Sequence, residues 1–408
     1  MTVTRAPAGS AAREREYMPQ LDSLRAIAVF GVMLSHFAMI DYAGRLGVRL
    51  FFVLSGFLIT RILLDARLAI ETRGSRIGRE LKVFFSRRLL RLYPPLILAI
   101  GFAAAFDVAS LRSTWGWHLS YLSNIYFARR GEWEGPLGPL WSLSVEEQFY
   151  LVWPLLILLV PYRRMIASII AIVLSACVFR YAVIALHLPA FGAYVMPFQS
   201  FDALGLGALL GVMSVRPELS RISGEQMLQW SLYSGLGGIG AVVAIALASD
   251  HSAFDGTFRE LFISLVFLWV IGAAATGFRG ATGRLLTLAP IIYLGKISYG
   301  LYLYHDFVPG IIEGTWNRLG VASFNGIPLA ASAWISGTAG SAGVKITALI
   351  ALMLKIALSI AIASASWILV ERPLAAFRKR IGSPRTDSSP LEPPPVPLNQ
   401  RLGARIVD

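Results

Sequence analysis

Long runs of apolar residues, separated by short polar stretches, extend from about residue 20 to about residue 370 of the chain. A helix that crosses the hydrocarbon core of a bilayer needs roughly 20 predominantly apolar residues. The runs predict about ten spans of that length, at 22–40, 47–65, 89–106, 144–161, 165–186, 197–215, 230–249, 259–277, 287–308 and 347–370. We therefore predict an all-α fold, a polytopic bundle of membrane-spanning helices.

The composition supports a lipid environment. Hydrophobic residues make up 56% of the 408 residues and charged residues 15%, and the mean hydropathy is +0.62. A soluble domain needs a more highly charged surface, so the apolar excess is expected to face lipid. The formal net charge of +13 does not predict nucleic-acid binding, because the charges lie between apolar runs and at the chain ends. The single cysteine, Cys177, excludes an intramolecular disulfide.

The distribution of lysine and arginine predicts the orientation of the bundle. These residues are concentrated in alternate connecting segments, so the positive-inside rule places both termini in the cytoplasm. The expected location is the cell (inner) membrane, with multiple crossings. Two longer segments, 107–143 and 309–346, would then lie outside. The first is rich in aromatic residues, which either lie at the lipid headgroups or stack on sugar rings. The second is rich in glycine, serine and alanine and is expected to be partly flexible.

The chain is predicted to have one main domain. Residues 1–19 form a cytoplasmic N-terminal segment, residues 20–380 the transmembrane domain, and residues 381–408 a tail rich in proline and serine. A segment of that composition cannot bury enough apolar surface to fold, so the tail is expected to be disordered.

Ionisable residues inside the spans indicate where function lies, because such groups are costly in lipid. Arg25 and His36 are eleven residues apart in the first span, which is close to three helical turns, so both side chains share one face about 16 Å apart along the axis. Such a face suits a polar cavity that joins the two sides of the bilayer. The alternative is an arginine at the lipid headgroups together with a histidine satisfied in the core.

Two further stretches carry candidate chemistry. Arg88 and Arg91 are three residues apart in "RRLLRLYPP"; they suit a phosphate clamp for a nucleotide or coenzyme A, and equally a cytoplasmic anchor. In "GPLWSLSVEEQFYLVWP", Glu146 and Glu147 point about 100° apart on a helix, so only one readily faces a polar interior. That carboxylate would orient a histidine, hold a substrate hydroxyl, or only cap the span.

Other polar residues are candidates for binding the substrate. Asp202 lies inside a predicted span and needs a charged partner, which Arg180 or Lys355 could supply. Such an ion pair would serve either the stability of the bundle or the function. The candidate substrate-binding residues are Asp202, Tyr302, His305 and Trp141. A metal site is not predicted, because the five histidines lack ligand spacing. No Gly-rich phosphate loop follows a strand and no Gly-x-Ser-x-Gly elbow occurs.

Taken together, these stretches resemble the acyltransferase family 3 membrane proteins, which O-acylate surface polysaccharides, glycolipids and some macrolides. The resemblance extends in order from about residue 20 to residue 375 and rests on "LDSLRAIAVFGVMLSHF", "RLFFVLSGFLIT", "RRLLRLYPP", "PLWSLSVEEQFYLVWP", "FDALGLGALLG", "ISYGLYLYH" and "LVERPL". Some members carry an additional extracellular esterase-like domain. Because a short tail follows the last span, the stand-alone type is expected here.

The resemblance implies an acyl-coenzyme A donor on the cytoplasmic side and a carbohydrate or glycolipid acceptor reached from outside. Acetyl is the default acyl group within the family. The resemblance also implies that His36 is the catalytic base and that Arg25, on the same helix face, is essential. Arg88 and Arg91 would bind the coenzyme phosphates, with Ser55 assigned to the same site or carrying an acyl group in an acyl-enzyme route. Glu146 and Glu147 match the family's acidic position, without indicating which one acts.

Two other function classes stay open. A transporter or flippase for an acylated or glycan intermediate would also use basic residues at a cytoplasmic mouth and an internal polar face. A scaffold protein is the third possibility, and the buried ionisable residues argue against it. Coenzyme A binding that depends on Arg88 and Arg91 would separate an acyltransferase from a flippase.

Overall fold

The computed structural model describes residues 17–105, 111–248, 253–312 and 342–381. The predicted N-terminal segment, apart from its last few residues, lies outside the described residues, as does almost all of the predicted tail. Most of the glycine-rich segment 309–346 lies outside them too. The expectations for these segments therefore stay predictions.

The described chain is helical throughout, as predicted, and no strand occurs within these ranges. Its α-helices are α1 Pro19–Ala38, α2 Asp41–Arg73, α3 Ile77–Ala105, α4 Leu111–Leu119, α5 Ser123–Arg130, α6 Leu140–Leu159, α7 Tyr162–Ala185, α8 Ala190–Tyr194, α9 Phe201–Val215, α10 Gly224–Ala248, α11 Ala253–Thr276, α12 Gly280–Leu286, α13 Ala289–Lys296, α14 Ser298–Tyr304, α15 Ala342–Ser366 and α16 Arg372–Arg380. Short 3-10 turns precede α6 and α9 and follow α14, and a π-helical turn, Trp367–Glu371, joins α15 to α16.

Nine helices of the described chain are long and apolar enough to cross a membrane. They correspond to nine of the predicted spans. The prediction of one continuous helix over 287–308 was wrong. That region is divided into α13, α14 and the 3-10 turn His305–Phe307. Interrupted backbone is tolerated at membrane depth where protein surrounds it, and Leu301, Leu303 and Tyr304 are indeed buried. The interruption places His305 at the end of a short helix.

Glycines allow α2 and α9 to approach each other closely. A Cβ added at Gly56 would lie 1.9 Å from the carbonyl oxygen of Leu204, and one at Gly207 would lie 2.0 Å from that of Val53. Without a hydrophobic driving force between helices in lipid, such backbone proximity is a main source of packing energy. The α2–α9 pair is therefore the packed centre of the bundle.

We predict opposite effects for two glycine-to-alanine substitutions. Gly207→Ala should lower the melting temperature of the detergent-purified protein, because its Cβ would overlap backbone and overpacking costs about 1–3 kcal/mol. Gly101→Ala, in α3, meets nothing within 4 Å, so it should leave the melting temperature unchanged or raise it, since alanine favours helix. Equal melting temperatures for the two variants would contradict the close α2–α9 contact.

Candidate functional site

A cavity of about 770 Å³ lies at the end of α1 and is bordered by α2, α6, α7 and α8. We call it the histidine cavity; the residues that matter for its chemistry are His36, Arg45, Trp133, Trp141, Tyr194 and Tyr302. The volume lies within the range of about 300–1,000 Å³ that is usual for small-molecule sites. Three other cavities among the described residues are smaller, at about 210, 320 and 20 Å³.

Aromatic side chains form one wall of the histidine cavity. The ring centroids of Trp133 and Trp141 are 6.0 Å apart, and those of Trp141 and Tyr194 are 5.0 Å apart. The guanidinium of Arg45 lies 5.5 Å from the centre of the Tyr194 ring. The tryptophans of the aromatic segment 107–143 differ in their surroundings. Trp133 and Trp141 line the cavity, whereas Trp115 is exposed and does not line it. Flat rings with polar edges suit stacking on a sugar.

His36 lies at the end of α1 with its ring against that of His305. The two rings meet edge to edge with nearly parallel planes, since their centroids are 4.9 Å apart, the interplanar angle is 10°, and Nδ1 of His36 is 2.6 Å from Nε2 of His305. Asp306 Oδ1 lies 3.7 Å from the same Nδ1. His36 is 36% exposed, whereas His305 is 0% exposed. One imidazole therefore faces the cavity and the other supports it from behind.

The sequence did not predict that His36, His305 and Asp306 would meet, yet one ligand atom from each lies within 4.8 Å of the others. Two nitrogens bound to one zinc ion at about 2.0–2.1 Å would lie roughly 3.3 Å apart in tetrahedral geometry. The separation of 2.6 Å and the parallel rings favour a hydrogen bond between the imidazoles over shared metal coordination.

The other histidines lie elsewhere. His118 is buried between α4 and α5, where its Nδ1 contacts Ser123 Oγ at 2.9 Å. Burial lowers the pKa of His118 to about 4, so this ring stays neutral near pH 7 and is part of the local packing. His187 is exposed, and His251 lies outside the described residues.

A second, smaller cavity of about 210 Å³ lies near the other end of α1. Its lining includes Arg25, Arg91 and Lys296 together with the carboxylates of Asp22 and Glu371, and we call it the arginine cavity. Arg25 Nη1 donates to Asp22 Oδ1 at 2.8 Å. The three cations outnumber the two carboxylates by one, a balance that suits a single anionic group such as a phosphate.

The expected single cavity shared by Arg25 and His36 is not what the structure has. The two side chains line different cavities, although they lie on one face of α1 as predicted. Val29 and Val32 occupy the same face between them and are 1% and 2% exposed. Close packing of these β-branched side chains separates the polar ends of the helix, a feature that spacing alone could not show.

Glu146 lies in a polar cluster on the α2–α6 contact. Its Oε1 accepts a hydrogen bond from Ser55 Oγ at 2.7 Å and its Oε2 accepts one from the Tyr150 hydroxyl at 3.1 Å. The Arg88 guanidinium lies 4.0 Å from the centre of the Tyr150 ring. Arg88 is therefore held in this cluster and is not among the residues that line the arginine cavity with Arg91. Arg88 and Arg91 therefore do not form the predicted two-arginine phosphate site together.

Glu147 differs from its neighbour, as helical geometry predicts for adjacent residues. Its Oε1 is buried and has no hydrogen-bond partner among the described residues. Of the two carboxylates, Glu146 is the one that contacts Ser55. Ser55 was expected at the coenzyme site and instead hydrogen-bonds in this cluster.

Asp202 is enclosed behind the wall of the histidine cavity and is 0% exposed. Its Oδ2 pairs with Arg49 and, at 2.9 Å, with Arg180 Nη2, and Arg49 also pairs with Glu260 at 3.0 Å. The expectation that Asp202 has a charged partner is met by Arg180, while the second partner, Arg49, was not foreseen. Direct binding of substrate by Asp202 does not fit this enclosure; Arg180, which it holds, lines the cavity.

Tyr302 and Trp141 lie where substrate-binding residues were expected, on the wall of the histidine cavity. The Tyr302 hydroxyl contacts Ser142 Oγ at 2.6 Å and donates to the carbonyl oxygen of Pro139 at 3.1 Å. Sequence reasoning missed Arg45, Tyr194 and Tyr150 as members of these clusters. Tyr150 lay inside a quoted motif and could have been noticed, whereas no local pattern distinguishes Arg45 or Tyr194.

Comparison with known proteins shows related chains of one kind. A family model described as an acyltransferase domain matches residues 18–363. A Bacillus subtilis (strain 168) protein named as a candidate peptidoglycan O-acetyltransferase, YrhL, is 32% identical over 318 residues, which are 72% of this chain and 49% of that protein. No solved structure matches.

Two other relatives carry similar names. The O-acetyltransferase OatA of Staphylococcus aureus (strain NCTC 8325 / PS 47) is 29% identical over 314 residues, 71% of this chain and 50% of that protein. The peptidoglycan O-acetyltransferase OatA of Listeria monocytogenes serovar 1/2a is 28% identical over 314 residues, 71% of this chain and 49% of that protein. The chain thus spans about half the length of the curated relatives it matches.

We predict that Asp202→Asn strongly destabilises the protein. Removing one charge of a buried pair leaves two enclosed guanidinium groups short of a counter-ion, which costs about 3–5 kcal/mol. The measurement is thermal unfolding of the purified protein in detergent. Glu132→Gln is the matched control, because its ion pair with Arg130 is at the surface, where Glu132 is 64% exposed, and the melting temperature should not change. A similar melting temperature for both variants would contradict the structural role of Asp202.

Proposed function

This chain belongs to the acyltransferase domain family, whose model covers most of its length, and on that premise we propose that it transfers an acetyl group to a hydroxyl of a cell-wall glycan. Membership makes it an enzyme that transfers acyl groups. The acetyl group and the glycan acceptor are proposed because similar chains are named O-acetyltransferases, two of them of peptidoglycan. The histidine cavity is the proposed acceptor site.

One observation carries the proposal: a partly exposed imidazole, that of His36, lies in a cavity walled by aromatic rings. A sugar ring stacked on Trp141 or Tyr194 would bring its hydroxyl groups to the histidine side of the same cavity. A neutral imidazole is suited to remove a proton from such a hydroxyl near pH 7. The base and the acceptor surface thus share one space.

The proposed reaction is a single displacement. His36 takes the proton of the acceptor hydroxyl while the hydroxyl oxygen bonds to the acyl carbon. The bond between that carbon and the sulfur of a thioester donor breaks, and the imidazolium returns its proton to the departing thiolate. An acyl-enzyme route through a side chain such as Ser55 would need two displacements.

The donor is proposed to approach from the arginine cavity. Arg25, Arg91 and Lys296 offer donors for phosphate oxygens, which acyl-coenzyme A carries. At about 210 Å³ the cavity is smaller than usual sites for drug-sized ligands, so it would hold only a phosphate-bearing part of the coenzyme. No metal is needed in this scheme.

The two cavities lie near opposite ends of α1. The positive-inside pattern of the sequence supports a cytoplasmic position for the arginine cavity and an outer position for the histidine cavity. We propose the bacterial inner membrane as the location. Transport of a glycan intermediate, the alternative from the sequence, is not needed to explain a family of acyl-transfer enzymes.

His36→Gln should abolish transfer. The amide keeps the approximate size of the side chain but has no basic nitrogen, and loss of a general base costs about 10²–10⁴-fold in rate. The measurement is base-labile acetate on cell-wall glycans, by mass spectrometry, in a deletion strain that expresses each variant at matched membrane abundance.

The control for this substitution is His187→Gln, an exposed histidine that is not among the residues lining the cavity, which should match wild type. Acetate at the wild-type level with His36→Gln would remove His36 from the mechanism. Unchanged export of glycan with lost acetate would favour transfer over transport.

Arg91→Gln should weaken donor use selectively. A lost hydrogen bond to a charged group costs about 1.5–3 kcal/mol, equal to a 10- to 150-fold rise in KM for acetyl-coenzyme A. The rate is measured in membrane vesicles with acetyl-coenzyme A supplied on the arginine-cavity side. Arg79→Gln, exposed on the same helix, should leave KM unchanged. Transfer that does not depend on acetyl-coenzyme A concentration would reject this donor and leave the acceptor proposal intact.

A further inference from the structure

We infer that His305 is a positioning residue that fixes the tautomer of His36, so that Nε2 of His36 is the basic nitrogen presented to the acceptor. The inference rests on the proposed function of His36 as the base. It adds a second, fully buried histidine to the site and assigns a nitrogen to the proton transfer.

The contacts of His305 determine which of its nitrogens carries the proton. Nδ1 lies 3.1 Å from the carbonyl oxygen of Leu301 and 3.0 Å from that of Tyr302. Carbonyl oxygens only accept hydrogen bonds, so Nδ1 of His305 must be the N–H donor. The ring is 0% exposed, and a charged imidazolium in such an enclosure is costly. His305 is therefore the neutral Nδ1–H tautomer, whose Nε2 has a lone pair.

The tautomer of His36 follows from that of His305. Nδ1 of His36 lies 2.6 Å from the lone pair at Nε2 of His305, so this nitrogen of His36 must donate. In a neutral ring the other nitrogen, Nε2, is then the acceptor. No hydrogen bond from the described residues occupies it, and His36 lines the histidine cavity. The basic nitrogen is thus left for the acceptor hydroxyl.

The local fold holds His305 in place. Its Nδ1 lies against the carbonyl oxygens of Leu301 and Tyr302, four and three residues earlier in the same chain segment, and its backbone N–H also donates to the Leu301 carbonyl oxygen. Phe37 packs edge-on against the same ring, with centroids 5.9 Å apart.

Asp306 has a different part in the same arrangement. Its Oδ1 is 3.7 Å from His36 Nδ1, too far for a hydrogen bond and close enough for charge attraction. When His36 takes a proton at Nε2, the imidazolium keeps its Nδ1–H bond to His305 and gains attraction to the Asp306 carboxylate. The proton leaves Nε2 for the departing group at the end of the step, so the pair returns to its starting tautomers.

The test compares two replacements of His305 in the cell-wall acetate assay, as initial rates of ester accumulation after induction. His305→Phe keeps an aromatic ring beside His36 and Phe37 but has no acceptor; the rate should fall about 10- to 150-fold, the loss expected for one hydrogen bond to a charged group. His305→Gln can place an amide oxygen near the former Nε2 and accept from His36; it should stay within about 10-fold of wild type. Rates are divided by the amount of monodisperse protein in the membrane.

A purely structural role for His305 predicts the reverse order, because phenylalanine replaces the packing of the ring better than glutamine does. A Phe variant as fast as wild type, or faster than the Gln variant, overturns the inference. His36→Gln separates the two proposals. If this variant is inactive while His305→Phe is active, the assignment of His36 as the base is kept and only the assignment of its tautomer fails.

Asp306→Asn supplies a second measurement that does not disturb the buried ring, since Asp306 is 24% exposed. Loss of the charge near the imidazolium should slow ester accumulation about 3- to 10-fold, a modest effect for a half-exposed charge. A wild-type rate would overturn the part assigned to Asp306. Stoichiometric zinc that co-purifies with the wild-type protein and is lost in His305→Gln would identify the pair as metal ligands and overturn the inference.

Discussion

The bundle depends on a carboxylate that water cannot reach. Asp202 on α9 pairs with Arg49 of α2 and Arg180 of α7, and Arg49 also pairs with Glu260 of α11. An unpaired charge enclosed in protein is costly, so these pairs fix four helices relative to one another. The glycines at the α2–α9 crossing allow the backbones to approach closely enough for this pairing.

The same network shapes the histidine cavity. Arg180 is held by Asp202 and lines the cavity, and α9, which carries Asp202, lies packed against both α2 and α7. The aromatic wall, with Trp141 and Tyr194 in contact, belongs to elements that this core positions. The Asp202 ion pairs therefore support the wall of the proposed acceptor site. A buried polar residue such as Asp202 can serve the site in this way without touching the substrate.

The site has an order along α1 that gives the proposed chemistry a direction. The cationic cavity near Arg25 and the aromatic cavity near His36 are separated by packed valines. The cluster of Ser55, Glu146 and Tyr150 lies on the α2–α6 contact and lines neither cavity. Under the proposed transfer, the packed valines between the two cavities would limit the entry of water.

Much of this protein can be read from the sequence alone. Apolar runs predicted the all-α bundle and nine of its spans, because length and hydropathy decide whether a helix can cross lipid. The ordered motifs indicated an acyltransferase, and Arg25, His36 and Asp202 were noticed because charge in a span is rare. Only the tertiary structure decided that Arg25 and His36 line separate cavities, that Arg88 is held by Tyr150, and that His305 lies against His36. These facts depend on contacts between residues up to 269 positions apart, which helical periodicity does not encode, since it fixes the face of one helix and not its neighbours.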